Sequence, residues 1–309
     1  MVKRLWALAA LVLLGHPIVK ADDQARQAAS AVGGAVGNWL KSGLSQSSAP
    51  DWLRRTDISI ESMDRSKPTW SIETIQPIYQ TPRTLTDTVF FQGRWGQRNS
   101  DDTVNLGLGY RRLTDEKTWL LGVNSFYDIT SKNNHQRLGL GAEAIGQYLS
   151  LRTNYYSAIS GIRTISEVNG VTTTEKALDG YDYEIDTPVP YAPWMRFSAN
   201  GFRWKAATSG YPDLVGETYS LRGNFTRTLS LELGHTNDNY NNGRGFVRLN
   251  WNFGGIQTGG VTRNLSSGGY SGAAFEARDL TKHTLDKVRR QNDIVVERKS
   301  GGVAIARKD

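Results

Sequence analysis

Between Asn105 and Arg152 the chain alternates residues suited to an apolar surrounding with residues suited to a polar one, in three successive segments. In the first, Leu106, Leu108 and Tyr110 share one face while Asn105, Gly107, Gly109 and Arg111 share the other, as the two-residue period of a strand requires. In the second, Trp119, Leu121 and Val123 oppose Leu120, Gly122, Asn124 and Asp128; in the third, Leu138, Leu140, Ala142 and Ala144 oppose Arg137, Gly139, Gly141 and Glu143. A soluble sandwich and a membrane barrel both show such alternation, so it leaves open whether the apolar face meets a second sheet or lipid.

Alternation inside segments, with Gly, Pro, Asn, Asp or Ser clusters between them, predicts twelve strands from Thr56 onward. They run Thr56–Ser62, Thr69–Gln80, Asp87–Gln97, Thr103–Leu113, Thr118–Ile129, Gln136–Ala144, Leu149–Ile159, Tyr181–Thr187, Trp194–Lys205, Thr218–Thr226, Leu229–His235 and Arg244–Phe253. A strand with its turn takes about 16 residues, which suits transmembrane strands of ~9–11 residues. Long connections, Gly161–Asp179 and Ala206–Glu217, alternate with tight ones at Gly146–Tyr148 and Thr228. An up-and-down barrel with long outer loops and short periplasmic turns gives this alternation, whereas a Greek-key sandwich does not. The expected fold is therefore all-β, a twelve-stranded antiparallel transmembrane β-barrel of outer-membrane type. In the last strand Val247, Leu249, Trp251 and Phe253 alternate with Arg248, Asn250 and Asn252. Leu249, Trp251 and Phe253, read as lipid-facing, are the candidate signal for barrel assembly.

The flanks differ from the strands. Met1–Ala21 has Lys3 and Arg4, an apolar run Leu5–Leu14 and a small-residue end, the plan of a signal peptide. Residues 22–55 read as a periplasmic segment, with Ala28, Val32, Val36 and Leu40 at helical spacing and a polar linker after them. Residues 56–253 form the barrel, and 254–309 are a linker that threads the lumen and a short C-terminal tail. In that last part Gly254–Ala273 is a Gly/Ser/Thr-rich strap, Phe275–Arg290 is expected to be helical, and Ile294–Val296 extended. An even strand count leaves the chain on the side where it started, free to enter the pore. Gly107, Gly109, Gly122, Gly139 and Gly141 form a bare inner wall, and glycine inside a strand marks close approach of another backbone. The expectation is that Gln257–Lys299 plugs the barrel against that wall, with Arg289, Arg290, Arg298 and Lys299 meeting carboxylates such as Glu143 and Glu232.

Composition narrows the function classes. The chain has 38% hydrophobic residues, a mean hydropathy of -0.47 and no cysteine, which removes disulfides, thiolate nucleophiles and cysteine metal sites. The net charge of +7 includes Lys3, Arg4 and Lys20 of the leader, so it argues for no nucleic-acid partner. Gly139-Leu-Gly141-Ala-Glu-Ala144 matches a dinucleotide fingerprint only superficially, because its glycines lie inside a strand. His235 shares a face with Leu231 and Leu233, as the histidine of an outer-membrane phospholipase would, but Asn237 stands where the serine nucleophile would fall. His135 and His283 lack ligand-spaced partners, so neither metal nor cofactor is expected. Arg111, Arg137, Glu143, Arg152, Arg196, Arg222, Glu232 and Arg248 project inward; they are read as solvated or mutually paired lumen charges ahead of a porin's solute filter.

The phrases Asn105-Leu-Gly-Leu-Gly-Tyr-Arg-Arg, Leu121-Gly-Val-Asn-Ser-Phe-Tyr-Asp and Gln136-Arg-Leu-Gly-Leu-Gly-Ala-Glu-Ala resemble, in that order and spacing, the β-domain of the intimin and invasin family, the inverse autotransporters. The similarity runs on through Gly180-Tyr-Asp-Tyr and Thr187-Pro-Val-Pro-Tyr-Ala-Pro to the tail Leu285-Asp-Lys-Val-Arg-Arg-Gln-Asn-Asp-Ile-Val-Val-Glu-Arg-Lys. Within that tail Leu285, Val288, Arg290, Asn292, Ile294 and Val295 are the candidate linker residues. The resemblance implies a twelve-stranded barrel with a periplasmic N-terminus, whose linker returns through the pore to display an adhesive passenger. Two departures stand out: the sequence stops at Asp309, where passenger repeats would begin, and too few residues follow Ala21 for a peptidoglycan-binding module. The function expected is a membrane anchor and translocator for surface display and adhesion in the outer membrane of a Gram-negative cell, without its own passenger. A stand-alone channel or surface receptor is the alternative, and a phospholipase ranks below both. Expected partners are outer-membrane lipid and lipopolysaccharide, the barrel-assembly machinery, and a host-surface or separately encoded passenger partner.

Overall fold

The computed structural model describes residues 50–98, 101–168, 170–254 and 271–301, and the backbone of 303–307. The leader, the helical reading of residues 28–40 and the strap at 255–270 lie outside the described residues. In chain order the elements are α1 (Asp51–Arg54), β1 (Thr56–Met63), β2 (Thr69–Gln80), β3 (Asp87–Arg98), β4 (Asp101–Leu113), β5 (Trp119–Thr130), β6 (Gln136–Gly146), β7 (Ser150–Ala158), β8 (Arg163–Val168), β9 (Val171–Ala177), β10 (Gly180–Val189), β11 (Ala192–Trp204), β12 (Leu214–Asn224), β13 (Leu229–Asp238), β14 (Arg244–Asn252), a 3₁₀ turn at Leu280–His283, β15 (Val296–Ser300) and β16 (Val303–Arg307).

β1 to β7 and β10 to β14 form one closed antiparallel barrel, each strand paired with its neighbours and β14 closing against β1 through pairs such as Ile60 with Leu249. Burial along these strands has the period of two that the sequence carries, with the usual polarity inverted. Leu108, Leu121, Val123, Leu140, Tyr155, Tyr183 and Leu249 are exposed on the outer wall, while Asn105, Arg111, Asp128 and Arg137 are fully buried inside. An apolar exterior around a polar interior is stable only where lipid is the surrounding solvent, which removes the sandwich alternative. Closure also leaves no sheet edge in the membrane, where an unpaired backbone group costs several kcal/mol. Of the three strand prolines, Pro77 and Pro188 sit beside register shifts in β2 and β10, and Pro193 is the second residue of β11, before its regular pairing begins; at each a missing N–H donor is tolerated.

Three expectations need correction. β12 runs four residues earlier than its sequence pattern suggested, because Leu214 pairs with Trp204 and is buried in a cluster with Tyr156, Leu178, Phe202 and Val295. The connection expected as an open loop at Gly161–Asp179 contains the hairpin β8–β9, turning at Gly170 (φ 75°), and this hairpin belongs to a second, four-stranded sheet in the order β16-β15-β9-β8. Its signal was present in the sequence, since Asn169-Gly170 between two alternating polar and β-branched runs is a type I′ hairpin turn sequence. Finally, the segment expected to be helical up to Arg290 holds only the 3₁₀ turn. Its carbonyls are taken by lumen side chains instead: Arg111 donates to Thr284 O (3.0 Å) and Asp286 O (2.5 Å), and Asn154 to Arg289 O (3.2 Å). A carbonyl bonded sideways to the wall no longer closes a helical turn.

Candidate functional site

The tail crosses the lumen from end to end. At the end with short turns Arg278 donates to Gly146 O (2.7 Å), and Leu280 packs with Leu113, Leu120 and Ile145. Midway Val288, with Leu285 beside it, packs on Ile75, Phe90 and Phe126. At the end with long loops Ile294 and Val295 are buried, the latter against Tyr156, Leu178, Trp204 and Leu214, and the chain continues into β15, which pairs with β9. Asn292 contributes its carbonyl, which accepts from Asn105 (2.8 Å) and Arg137 (3.3 Å).

The glycine wall faces this tail, though not in the way expected. A Cβ on Gly107 would fall within the Phe126 ring and one on Gly109 within the Phe90 ring; these are the directly paired residues on β5 and β3. Gly122 makes room for Glu143, and Gly141 for Asn124 and Asn154. Gly139 alone of the five has the tail over it, its Cβ position lying 2.9 Å from the Arg290 guanidinium. The glycines therefore let aromatic and polar lumen side chains lie flat on the wall, and those side chains are the floor on which the tail packs. Close approach of the tail backbone is the reason for none of them; over Gly139 lies the Arg290 side chain.

The inward charges form ion pairs that include the tail. Arg111 binds Glu143 (2.6 Å) and lies 4.6 Å over Phe90; Arg152 binds Glu184 (2.8 Å); Arg196 binds Asp186 (2.6 Å). Arg248 bridges Glu61 (2.5 Å) and Glu232 (2.9 Å). Arg137 binds Asp128 (2.8 Å) and donates to Gln291 O (2.7 Å), while Arg290 from the tail binds the same Asp128 (2.6 Å). Arg289 binds Glu184 (2.9 Å) and Glu232 (3.4 Å). Of the expected tail contacts, Arg289 with Glu232 is present; Glu143 is occupied by Arg111, and Arg298 lies beyond the barrel on Glu175. Arg222 makes no hydrogen bond or ion pair among the described residues. Asn105 and Asp128 were read on the inner face but not as contacts of the tail, and Gln92, Asn154, Tyr156 and Glu184 were not singled out: each faces inward by the same alternation, but nothing local marks which polar residues the tail will meet.

Beyond the barrel, Glu175 on β9 accepts from Arg298 Nε (2.8 Å) and Asn133 (2.6 Å), with His135 Nε2 at 3.3 Å, and so ties β15 to the hairpin. Burial alone would raise this carboxyl, but hydrogen bonds from His135, Arg298 and Asn133 and the Arg298 charge outweigh it and hold it at about 2, below its ordinary 4.5. Its contribution to stability is thus complete above about pH 4.5 and is lost as pH falls to about 2. Amide exchange over Val296–Ser300 is expected to lose protection through that window, and Glu175→Gln to flatten the dependence.

On the outer wall Trp251 is 47% exposed, whereas Phe253, expected beside it, is 2% exposed. The strand stops at Asn252, and the Phe253 N–H donates to Thr56 O (3.1 Å), so the ring leaves the lipid face. Leu249 is exposed on the wall as the alternation requires. His235 is paired across the sheet with Tyr219 and Gly245, with no serine opposite it.

A family model described as the inverse autotransporter β-domain matches residues 15–292. This chain belongs to the inverse autotransporter family. Among curated relatives, it is 30% identical over 179 residues to the inverse autotransporter adhesin YeeJ of Escherichia coli (strain K12), covering 56% of this chain and 7% of that protein. It is 33% identical over 112 residues to invasin of Yersinia enterocolitica, covering 35% of this chain and 12% of that protein. The matched segment is thus a small part of each relative. A solved structure from a study of in-meso crystallization of membrane proteins superposes with a TM-score of 0.62 at 18% identity, over 79% of this chain and 98% of that one. An inverse autotransporter barrel of this kind resides in the Gram-negative outer membrane, with lipid against its outer wall.

Proposed function

We propose that the protein is the membrane anchor and translocator of a surface-display system and carries out no chemical reaction. In this reading residues 1–21 are a removed leader, 22–55 stay in the periplasm with the short turns, 56–253 are the barrel, and 254–309 lead out through the lumen to the cell surface. The observation that supports it is the path of the tail, which enters at the end where Arg278 meets Gly146 and leaves as β15 at the end that carries β9. A strand held there is a fixed point from which an adhesive segment, on this chain or a partner chain, would project. An epitope inserted at Asn169, between β8 and β9 in the sequence, is expected to be stained on intact cells; staining only after permeabilisation would reverse the orientation.

The barrel-assembly machinery and lipopolysaccharide are the partners this reading requires. Trp251 offers lipid an aromatic on the strand that closes the barrel, and the buried Phe253 ties the end of that strand to Thr56 of β1. Changing both to Ser is expected to reduce the fraction of heat-modifiable, folded barrel severalfold. An unchanged fraction would take assembly recognition away from β14.

A further inference from the structure

The tail does not fill the lumen. A cavity of about 640 Å³ remains between it and the inner faces of β1, β2 and β10 to β14. Its lining includes Gln80 and Asn252, the short-turn ends of β2 and β14, and also Thr69 and Arg244, the opposite ends of the same strands. The cavity therefore runs the length of that wall. At about 30 Å³ per water it holds on the order of twenty waters, and spread over an apolar band of ~25 Å this is a path about two waters wide. Such a path admits an inorganic ion and excludes a polypeptide.

Its charge is unbalanced. Among the described lining residues fourteen are Lys or Arg and eight are Asp or Glu, although Asp128, Asp186 and Asp238, outside the lining, hold Arg290, Arg196 and Arg244 and reduce the surplus. Most of these cations are held by carboxylates, but Arg222, Arg278 and, at the short-turn end, Arg55 are not; Arg55 donates to the Asp51 carbonyl (3.2 Å). Arg278 spends its donors on Gly146 O and Ser150 Oγ (2.6 Å). The carboxylates whose field reaches Arg222 are Asp186, already bound by Arg196, and Glu232, already bound by Arg248 and Arg289; its other charged neighbours are Arg196 and Arg289 themselves. Of the hydroxyls on the same wall, Ser220 donates to Glu232 (2.7 Å) and Ser198 to Ser220 (2.8 Å), while in the pair Thr218 and Thr236 (2.9 Å) one hydroxyl keeps its proton for a passing anion. A surplus of fixed positive charge between low-dielectric walls concentrates anions and excludes cations.

We propose that this conduit passes small inorganic anions across the membrane beside the docked tail, and that Arg222 sets its charge preference. Neither the direction of display nor the identity of a passenger enters the argument. The test is single-channel recording of the full chain in planar bilayers under a potassium chloride gradient. A small steady conductance above the bare bilayer is expected, with a reversal potential on the chloride side. Arg222→Gln should bring the chloride-to-potassium permeability ratio severalfold closer to one, and Arg222→Glu should push it below one. Arg222 has no hydrogen bond among the described residues to lose, and heat-modifiability on gels verifies that each variant is folded. Ser71→Trp should narrow the path from β2 and reduce the current. A chain with Leu120→Cys and Leu280→Cys, which pack together outside the cavity lining, joined by a short bifunctional thiol reagent should keep its current, since the path does not need the tail to leave. Absence of conductance, a cation preference in the unaltered chain, an unchanged ratio in folded Arg222→Glu, or loss of current on crosslinking would each overturn the proposal.

Discussion

Ending the chain after Phe253 is expected to raise single-channel conductance severalfold over that of the full protein. The tail between Arg278 and Val295 occupies the side of the lumen bounded by β3 to β7, where Val288 covers Phe90 and Phe126 and Arg290 covers Gly139. Without it that volume fills with water and joins the existing cavity. The barrel itself is expected to survive, because Arg111 keeps Glu143, Arg137 keeps Asp128 and Arg248 keeps Glu61 and Glu232, all contributed by strands. Its thermal stability should nevertheless fall, since Val288, Val295 and Leu280 take three buried apolar contacts with them, each worth about 1.5–3 kcal/mol when fully buried. Planar-bilayer recording and heat-modifiability measure the two effects on one preparation. Equal conductance with and without the tail would mean that it does not occupy the lumen in a membrane.

The barrel was legible in the sequence because lipid imposes one simple rule on every strand. Leu106, Leu108 and Tyr110 outside and Asn105, Gly107, Gly109 and Arg111 inside need nothing beyond a period of two. The tail's entry into the lumen was legible from strand parity. The reason for the glycines was not: Gly107 and Gly109 accommodate Phe126 and Phe90, which come from other strands and become visible only once the register is known. The tail's conformation failed for a related cause. Helical spacing between Phe275 and Arg290 is a local signal, and Arg111, Asn154 and Arg137, which claim the tail's carbonyls, lie more than a hundred residues away in sequence. Phe253 departed from its predicted face because β14 stops one residue early, and alternation carries no information about where a strand ends.

Asp128→Ala should be the most damaging single substitution in the lumen. The Asp128 carboxylate is fully buried and receives Asn105 (2.7 Å), Arg137 Nε (2.9 Å) and both terminal nitrogens of Arg290 (2.8 and 2.6 Å). One anion thus serves two guanidinium groups, themselves 0% and 1% exposed, which are otherwise supported by the ring of Tyr156 under Arg137 (4.4 Å), the ring of Phe126 under Arg290 (4.3 Å), the field of Asp182 on Arg290 and the tail carbonyls that Arg137 meets. Removing the carboxylate leaves two buried cations facing each other, and breaking a buried pair in this way costs about 3–5 kcal/mol. Arg290→Met should be milder, because it leaves Arg137 and Asp128 matched one to one and keeps an unbranched side chain against Phe126. Adding Arg290→Met to Asp128→Ala should then restore part of the lost stability by removing one of the stranded cations. Amide exchange across Arg289–Asp293, together with thermal unfolding, reads all three variants. If Asp128→Ala is no worse than Arg290→Met, or if the double variant simply adds the two losses, shared neutralisation by Asp128 is not what holds the tail in the barrel.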